Sequence, residues 1–182
     1  MTLFQKQYRI ETARRVGWDY ASRSWYFVTL CARGRECSLA DAVHGKIALS
    51  RAGMIAERQM DEIAKHYSNV VVDRFVIMPN HIHAIIVIDG RHQYSPTPTG
   101  DGASPVSTMR LAKSLGDVVG GYKAGVSRIC RAEGIATFAW QERFYDRILG
   151  SNASVNAVRD YIDRNPENWM EDPDHRSGAT PL

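Results

Sequence analysis

Aromatic and β-branched residues are concentrated in short runs, and other apolar residues recur at the spacing of helices. The runs Val70–Met78 and His81–Ile88 flank a Pro-Asn turn signal, so they predict an antiparallel hairpin. An earlier run, Trp25–Ala32, is aromatic and β-branched and predicts another strand. The hydrophobic pattern therefore indicates a sheet built around a hairpin in the middle of the chain.

Helical spacing predicts three helices, at Ser50–Tyr67, Met109–Ala132 and Asn152–Arg164. Ser50 is the expected N-cap of the first, because its hydroxyl can accept a hydrogen bond from a first-turn amide. The third should end near Pro166, since the residue before a proline disfavours helix. Several glycines weaken the prediction for the second helix.

The order of these elements predicts an α+β fold, a ferredoxin-like sandwich. A central antiparallel sheet would carry the His81–Ile88 strand, with helices on one face and a further C-terminal helix. Weaker signals suggest an edge strand at Lys46–Leu49 and a short strand at Thr137–Trp140, and they leave Phe144–Leu149 undecided. We expect a single domain over residues 1–169 with a flexible Pro, Gly and Ser-rich loop at about 90–108, and a loose tail at 170–182.

Composition limits the class of protein but does not choose the function. The 182 residues are 44% hydrophobic and 24% charged, which is ordinary for a globular domain. A net charge of +3 permits a nucleic-acid partner without demanding one. The three cysteines form no disulfide framework, and no run is long and apolar enough for a signal peptide or a membrane span. We therefore expect a cytoplasmic protein with no membrane partner.

His81-Ile82-His83 is the sharpest local feature of the sequence. Side chains alternate along a strand, so both imidazoles would lie on one face and could hold a metal ion. The chain offers no Cys/His set that would complete a closed zinc site, which favours an open site with room for substrate. The alternative is two polar residues at the start of a strand, and the pair alone does not decide between these interpretations.

Tyr161 and Asn165 are four residues apart on the predicted third helix and should share a face. Tyr161 lies at the edge of an apolar stripe, where a tyrosine often only packs its ring and exposes its hydroxyl. It could also be a nucleophile, although a phenol with a pKa of about 10 needs a metal or a base beside it.

Together, these segments resemble the single-tyrosine HUH transposases, and within them the REP-associated tyrosine transposases. VDRFVIMPNHIHAIIVI resembles their HUH segment, in which two histidines flank one bulky hydrophobic residue. Trp140-Gln141, then Phe144-Tyr145-Asp146, then Tyr161-Ile162 with Asn165-Pro166 and Trp169 resemble their later motifs in the same order. The joint pattern is specific, whereas each motif alone is weak.

The resemblance implies a role for each matching residue. His81, His83 and Asn165 would be ligands of Mg²⁺ or Mn²⁺, and Tyr161 would be the nucleophile. Tyr145 is a rival phenol in a motif that does not usually carry the nucleophile. Lys123 falls where relatives often have a lysine, and it could contact a phosphate. Imidazole ligands by themselves would favour zinc or a later transition metal, which is in tension with the implied ion.

The implied activity is a metal-dependent endonuclease and strand transferase, a transposase that cleaves single-stranded DNA next to a hairpin or repeat. Tyr161 would form a 5′-phosphotyrosine and release a 3′ hydroxyl. The protein would act as a monomer or a homodimer. Candidate contacts to the DNA backbone are Arg14, Arg15, Arg33, Arg35, Arg110, Lys113, Lys123 and Arg128. For each of them a solvated surface cation is the favoured alternative, because charged residues are mostly exposed.

Two other functions are compatible with the residues. A replication-initiator nickase shares the histidine pair, but the Tyr161 to Trp169 motif resembles the transposases more. A catalytically silent DNA-binding module would keep the fold without the chemistry, and the intact set of His81, His83, Tyr161 and Asn165 argues against it.

Overall fold

The computed structural model describes residues 3–4, 8–9, 15–43, 46–90, 113–172 and 174–175. Within these ranges the chain forms eight strands and three α-helices. The strands are β1 Leu3–Phe4, β2 Tyr8–Arg9, β3 Ser24–Cys31, β4 Ala40–Val43, β5 Lys46–Leu49, β6 Val70–Ile77, β7 His81–Ile88 and β8 Tyr145–Leu149. The helices are α1 Arg51–His66, α2 Leu115–Ala132 and α3 Asn152–Arg164.

Four of the strands form one antiparallel sheet in the order β6-β7-β3-β8. Along the chain, the elements β3, α1, β6, β7, α2 and β8 follow the β-α-β-β-α-β order of a ferredoxin-like fold. The predicted fold class and the predicted hairpin of β6 and β7 are therefore confirmed. The histidine strand β7 is central, since it pairs with β3 on one side and β6 on the other.

The two faces of the sheet are covered by different helices. Tyr26, Val28 and Leu30 of β3 join one core with α1 and α2, together with Ile82 and its alternate neighbours in β7. The intervening residues Phe27 and Ile85 lie on the other face, where they pack against α3. The period of two along each strand thus sends one set of side chains to the main core and the other to the helix that carries Tyr161.

The helices begin at serine caps. The Ser50 hydroxyl accepts a hydrogen bond from the Gly53 amide at 3.1 Å, as predicted. Ser114 caps α2 in a reciprocal capping box with Asp117, so α2 begins at Leu115. Residues 109–112 of the helix predicted from Met109 lie outside the described residues. Ser151 caps α3 in the same way with Ser154.

Two glycines that weaken helical propensity allow α2 to pack closely on α1. A Cβ atom at Gly121 would lie 2.0 Å from the Tyr67 hydroxyl oxygen, and one at Gly125 would lie 2.8 Å from Gln59 Oε1. Close approach of the two helices therefore compensates for the poor intrinsic propensity of these positions.

The weaker sequence signals had different outcomes. The undecided segment 144–149 contains β8, and the expected edge strand at Lys46–Leu49 is β5, which pairs with β4. The short strand predicted at Thr137–Trp140 is wrong, since that segment makes only an isolated bridge between Trp140 and Ala32. Most of the predicted loop at 90–108 lies outside the described residues. None of the described helices is long and apolar enough to cross a membrane.

Candidate metal and nucleophile site

The two histidines of β7 meet on the face of the sheet that α3 covers. Their Nε2 atoms are 3.0 Å apart, and both side chains are almost completely buried. Opposite them in β3, His83 pairs in register with Thr29 and His81 pairs with Cys31. Strand alternation therefore brings the imidazoles together, as predicted from their spacing.

The Nδ1 atom of each imidazole has a hydrogen-bond partner, and these contacts orient the rings so that their Nε2 atoms point into the site. His81 Nδ1 donates to Asn80 Oδ1 at 2.8 Å, which leaves the Nε2 lone pair of His81 directed into the site. His83 Nδ1 is 3.0 Å from the Thr29 hydroxyl, which can accept or donate. Both rings can therefore present Nε2 lone pairs to a cation, with the supporting contacts typical of metal-binding histidines.

Burial keeps both rings neutral. It lowers the pKa of His81 to about 3, and the nearby positive charge of Arg35 acts in the same direction. The pKa of His83 is also lowered to about 3, first by burial and then by the neighbouring His81. Neutral imidazole is the form that binds metal ions, so both rings could bind a cation over the physiological pH range.

Tyr161 brings a phenol to this pair from α3. Its hydroxyl oxygen lies 3.2 Å from His83 Nε2. The apolar stripe of Val155, Val158 and Ile162 packs on Phe27 and Ile85 and so lays α3 across the histidine face. Burial, and then the negative charge of Asp172, raise the pKa of Tyr161 to about 12. The phenol is thus protonated in the described state, and its ionisation would require added positive charge nearby.

The rival phenol, Tyr145, is farther from the histidines. It pairs in register with Thr29 on the opposite side of β3 from β7. Two strand spacings, about 10 Å, therefore separate its backbone from that of His83. Of Tyr145 and Tyr161, only Tyr161 brings its hydroxyl group to the histidine pair.

Asp172 and Asp174 are site residues that the sequence analysis missed. One carboxylate oxygen of each lies within 4.8 Å of the imidazole nitrogens and of the other. Asp172 Oδ2 is 3.9 Å from both Nε2 atoms and 3.4 Å from the Tyr161 hydroxyl, which donates to it. In the sequence these two aspartates stand just after Trp169, within a segment whose polarity predicts a loose tail.

The start of that segment is anchored rather than loose. Asp174 forms an ion pair with Arg35, and its carbonyl accepts a hydrogen bond from Asn80 Nδ2 at 3.0 Å. The Asp174 amide donates to Asp172 Oδ1 at 2.6 Å. Asp172 is buried and Asp174 is ion-paired, so neither of these two residues is loose, and residues 176–182 lie outside the described part of the chain.

Asn165 follows α3 and borders the same site. Its side chain is 2% exposed, and among the described residues Oδ1 has no hydrogen-bond partner. A buried amide oxygen is costly to leave without a partner, and it is a good ligand for a hard cation. The imidazole pair and the two carboxylates could hold a metal ion, and Asn165 lines the adjoining cleft with Tyr161 and Asp172.

An open cleft of about 420 Å³ leads to the phenol. Tyr161, Asn165 and Asp172 line it together with the cation Arg164 and the acids Asp160 and Glu171. A flexible strand could enter such a cleft and bring a phosphate to the phenol.

Lys123, expected to contact a phosphate, instead supports the fold. Its ammonium group donates to the carbonyl oxygens of residues 141, 142 and 143 at 2.6, 3.3 and 3.1 Å. Burial lowers its pKa. The three hydrogen bonds use all three donors of the group, so the phosphate role is not supported by the position of this side chain.

Of the other predicted DNA contacts, Arg35 reaches the site through its ion pair with Asp174, whereas Arg15, Lys113 and Arg128 lie away from it. The Arg15 guanidinium stacks on Trp18, which bonds to Tyr26 in the core of the opposite face. The Lys113 carbonyl accepts a bond from Asn69, next to the end of the sheet farthest from His81. Arg128 is exposed on α2, which also covers the opposite face. Arg14 and Arg110 lie outside the described residues.

Comparison with known proteins addresses the fold. No family model matches the chain. An uncharacterized protein of Haemophilus influenzae (strain Rd) is 28% identical over 156 residues, which are 85% of this chain and 87% of that protein. A solved REP-associated tyrosine transposase bound to a REP hairpin has a TM-score of 0.54 and 18% identity, over 86% of this chain and 73% of that one.

The chain has the fold of a REP-associated tyrosine transposase. The resemblance inferred from the sequence motifs is confirmed at this level. A solved structure from Deinococcus radiodurans R1, described as a candidate transposase, is 15% identical with a TM-score of 0.43, over 84% of this chain and 96% of its own.

Proposed function

We propose that this protein is a metal-dependent single-stranded DNA endonuclease and strand transferase, a transposase whose nucleophile is Tyr161. One observation carries the proposal. The Tyr161 hydroxyl lies 3.2 Å from His83 Nε2, at the point where the second imidazole and two carboxylates also converge. A nucleophile beside a cation-binding cluster, at the end of an open cleft, suits attack on a phosphodiester.

The donor set fits the implied cofactor, Mg²⁺ or Mn²⁺. His81, His83 and Asn165 would hold the ion, and Asp172 and Asp174 add hard oxygen donors nearby. An imidazole pair alone would favour zinc or a later transition metal, whereas carboxylate and amide oxygens suit Mg²⁺ and Mn²⁺. The added oxygen donors therefore make the site more suitable for the implied ion. When bound, the ion supplies positive charge that polarises the scissile phosphate and stabilises the negative charge of the transition state.

The protein's own groups account for the covalent step. The Tyr161 oxygen attacks phosphorus, forming a phosphotyrosine bond as the bond from phosphorus to the 3′ oxygen breaks. The phenol proton passes to Asp172 Oδ2, the carboxylate oxygen 3.4 Å away, and the departing 3′ oxygen takes a proton from water. Attack by another 3′ hydroxyl on the phosphotyrosine reverses the step and joins two strands without ATP.

We propose single-stranded DNA with a hairpin or repeat end as the substrate. The solved transposase that shares this fold is bound to a REP hairpin. In this chain, Arg164 lines the cleft together with Tyr161, and we propose that it pairs with a phosphate next to the scissile one.

The test is a covalent adduct assay. The protein is incubated with labelled single-stranded DNA that spans the repeats beside its gene, with Mn²⁺ or Mg²⁺, and separated on denaturing gels. We expect a metal-dependent adduct that Tyr161→Phe abolishes and Tyr145→Phe retains. Loss only in Tyr145→Phe would move the nucleophile, and tight hairpin binding without any adduct would support the silent module instead.

A metal titration tests the ligands without relying on activity. Mn²⁺ binding to the wild type should be measurable by calorimetry and strongly weakened in His83→Ala. Asp172→Asn should weaken binding at least tenfold, because removing a carboxylate beside a metal site costs that much or more. Unchanged Mn²⁺ affinity in both variants, with folding confirmed by circular dichroism, would contradict the assigned site.

A further inference from the structure

Strand β6 contains one extra residue where it pairs with β7. Val72 lies opposite Ile86 and Arg74 lies opposite Ile85, so Asp73 has no counterpart in β7. Such a bulge interrupts the alternation of side chains along a strand. As a result the consecutive residues Asp73 and Arg74 both reach α3, on the same face of the sheet as the site.

The first of these contacts is a two-point ion pair. Arg159 Nε donates to Asp73 Oδ2 at 2.8 Å, and Nη2 donates to Asp73 Oδ1 at 2.6 Å. The same guanidinium lies 5.4 Å from the ring centre of Trp25 and donates to Asn156 Oδ1. Paired hydrogen bonds to a planar guanidinium restrict both distance and rotation, which a single charge contact does not.

The second contact has the opposite polarity. Arg74 Nε lies 3.5 Å from Asp163 Oδ1. Arg159 and Asp163 are one helical turn apart, and Tyr161 lies between them in sequence. On the strand, Asp73 faces the helix residue Arg159, and Arg74 faces Asp163. A shift of α3 along β6 would therefore bring like charges together. We name these four residues, Asp73, Arg74, Arg159 and Asp163, the bulge clamp.

The apolar contacts of α3 would not define its position so narrowly. They come from three buried aliphatic residues, Val155, Val158 and Ile162. Aliphatic packing is non-directional and tolerates small rotations, whereas the Tyr161 oxygen has to stay about 3 Å from the reacting centre. A directional anchor beside Tyr161 therefore has a function that the hydrophobic stripe does not fulfil.

We propose that the bulge clamp positions Tyr161, so that its four members are positioning residues for the strand-transfer reaction. The effect on activity rests on the function proposed above. The effect on the location of the phenol does not, and it can be measured separately.

The experiment reads the position of the phenol directly. The protein is labelled with 3-fluorotyrosine, and the ¹⁹F resonance of Tyr161 is assigned by its absence in Tyr161→Phe. In the wild type this ring lies 5.2 Å from the His83 ring and edge-on to Phe27, so its resonance should differ from that of a free fluorotyrosine. Arg159→Gln and Asp73→Asn should each move it toward the free value, and Arg159→Lys should move it less.

Adduct formation is measured on the same variants with the labelled repeat oligonucleotide. We expect a rate about tenfold lower at saturating DNA in Arg159→Gln, with the affinity for the oligonucleotide within twofold of wild type. Arg58→Gln is the matched control, because it makes the same change on the exposed side of α1 over the opposite face. It should alter neither readout.

A double variant tests whether Asp73 and Arg159 act on Tyr161 as a pair or independently. If Asp73 and Arg159 act through each other, Asp73→Asn with Arg159→Gln should lose no more than either single variant. Losses that multiply, or a Tyr161 resonance that Arg159→Gln leaves in place, would overturn the clamp. A shifted resonance in a protein whose wild type forms no adduct would support the clamp and refute the proposed function.

Discussion

The two faces of strand β7 are made from alternate residues of one segment, yet they have opposite properties. Ile82, Ala84 and Ile86 enter an apolar core beneath α1 and α2. His81 and His83 alternate with them in sequence and enter a polar cluster beneath α3. Burial stabilises the first face directly, whereas on the second it imposes a cost that hydrogen bonds must offset.

Within residues 81–83, the side chain of Ile82 therefore contributes to stability, and the side chains of His81 and His83 form the candidate site. The apolar face needs only shape and volume. The polar face needs Asn80, Thr29, Asp172 and Asn165 in particular orientations, because each buried polar atom requires a partner or a ligand. Substitutions on the first face should therefore change folding, and those on the second should change metal binding and chemistry.

The largest expected effect is on the polar face. His83→Ala should lower the rate of adduct formation by about a thousandfold, the several kcal/mol that loss of metal-assisted charge stabilisation implies. Its unfolding free energy should fall by only about 1 kcal/mol, since the vacated space is polar and water can fill it. Single-turnover assays and urea unfolding give the two numbers, and retained activity would break the comparison.

Acid should destabilise the metal-free protein through the same face. Both histidines have a pKa of about 3 when folded, against an ordinary value of 6.5, so the unfolded chain binds more protons between these limits. Stability is therefore full above pH 6.5 and falls as the pH drops toward 3, by about 1.4 kcal/mol per pH unit for each histidine. Urea unfolding in EDTA at several pH values measures the slope.

His83→Gln supplies the control for that slope, because other groups also titrate in acid. The variant should show a shallower loss of stability between pH 6.5 and 4.5 than the wild type. Identical slopes would mean that His83 is accessible to protons in the folded protein.

Ile82→Ala tests the apolar face. Ile82 is completely buried, so its truncation should cost about 2–5 kcal/mol of unfolding free energy. Mn²⁺ affinity should stay within twofold at temperatures where the variant is folded. A folded Ile82→Ala that no longer binds Mn²⁺ would show that the two faces are not separable.

The smallest effect is expected for Lys123, which belongs to the structural side of the comparison. Lys123→Met should lose about 1–3 kcal/mol of stability, because three backbone carbonyls lose a charged donor. Affinity for the repeat oligonucleotide should not change. A weaker, less salt-dependent affinity would restore the phosphate contact that the resemblance implied.

Local patterns were sufficient for much of this architecture. The hairpin of β6 and β7 followed from two β-branched runs around Pro79-Asn80, and the common face of His81 and His83 followed from strand periodicity. The start of α1 followed from the Ser50 cap. Each of these depends on residues close together in sequence, where backbone geometry alone relates the side chains.

Long-range partners were not visible in the same way. Lys123 has the composition of a DNA contact, but only the fold shows the three carbonyls that occupy it. Asp172 lies in a segment that is polar enough to look loose, and its burial depends on contacts with Tyr161 and β7. The bulge at Asp73 likewise depends on its partner strand and has no signature in β6 by itself.

The sequence by itself determined the order of the elements, the pairing of the histidines on one strand face and the placement of Tyr161 at the edge of an apolar helix stripe. These are consequences of periods of two and 3.6 residues, which every strand and helix obeys. Only the tertiary structure decided which carboxylates join the histidines, which phenol reaches them and which cations are already occupied. Those outcomes depend on contacts between segments that are distant in sequence: Tyr161 is separated from His83 by 78 positions, and Lys123 is separated from its carbonyl partners by 18 to 20.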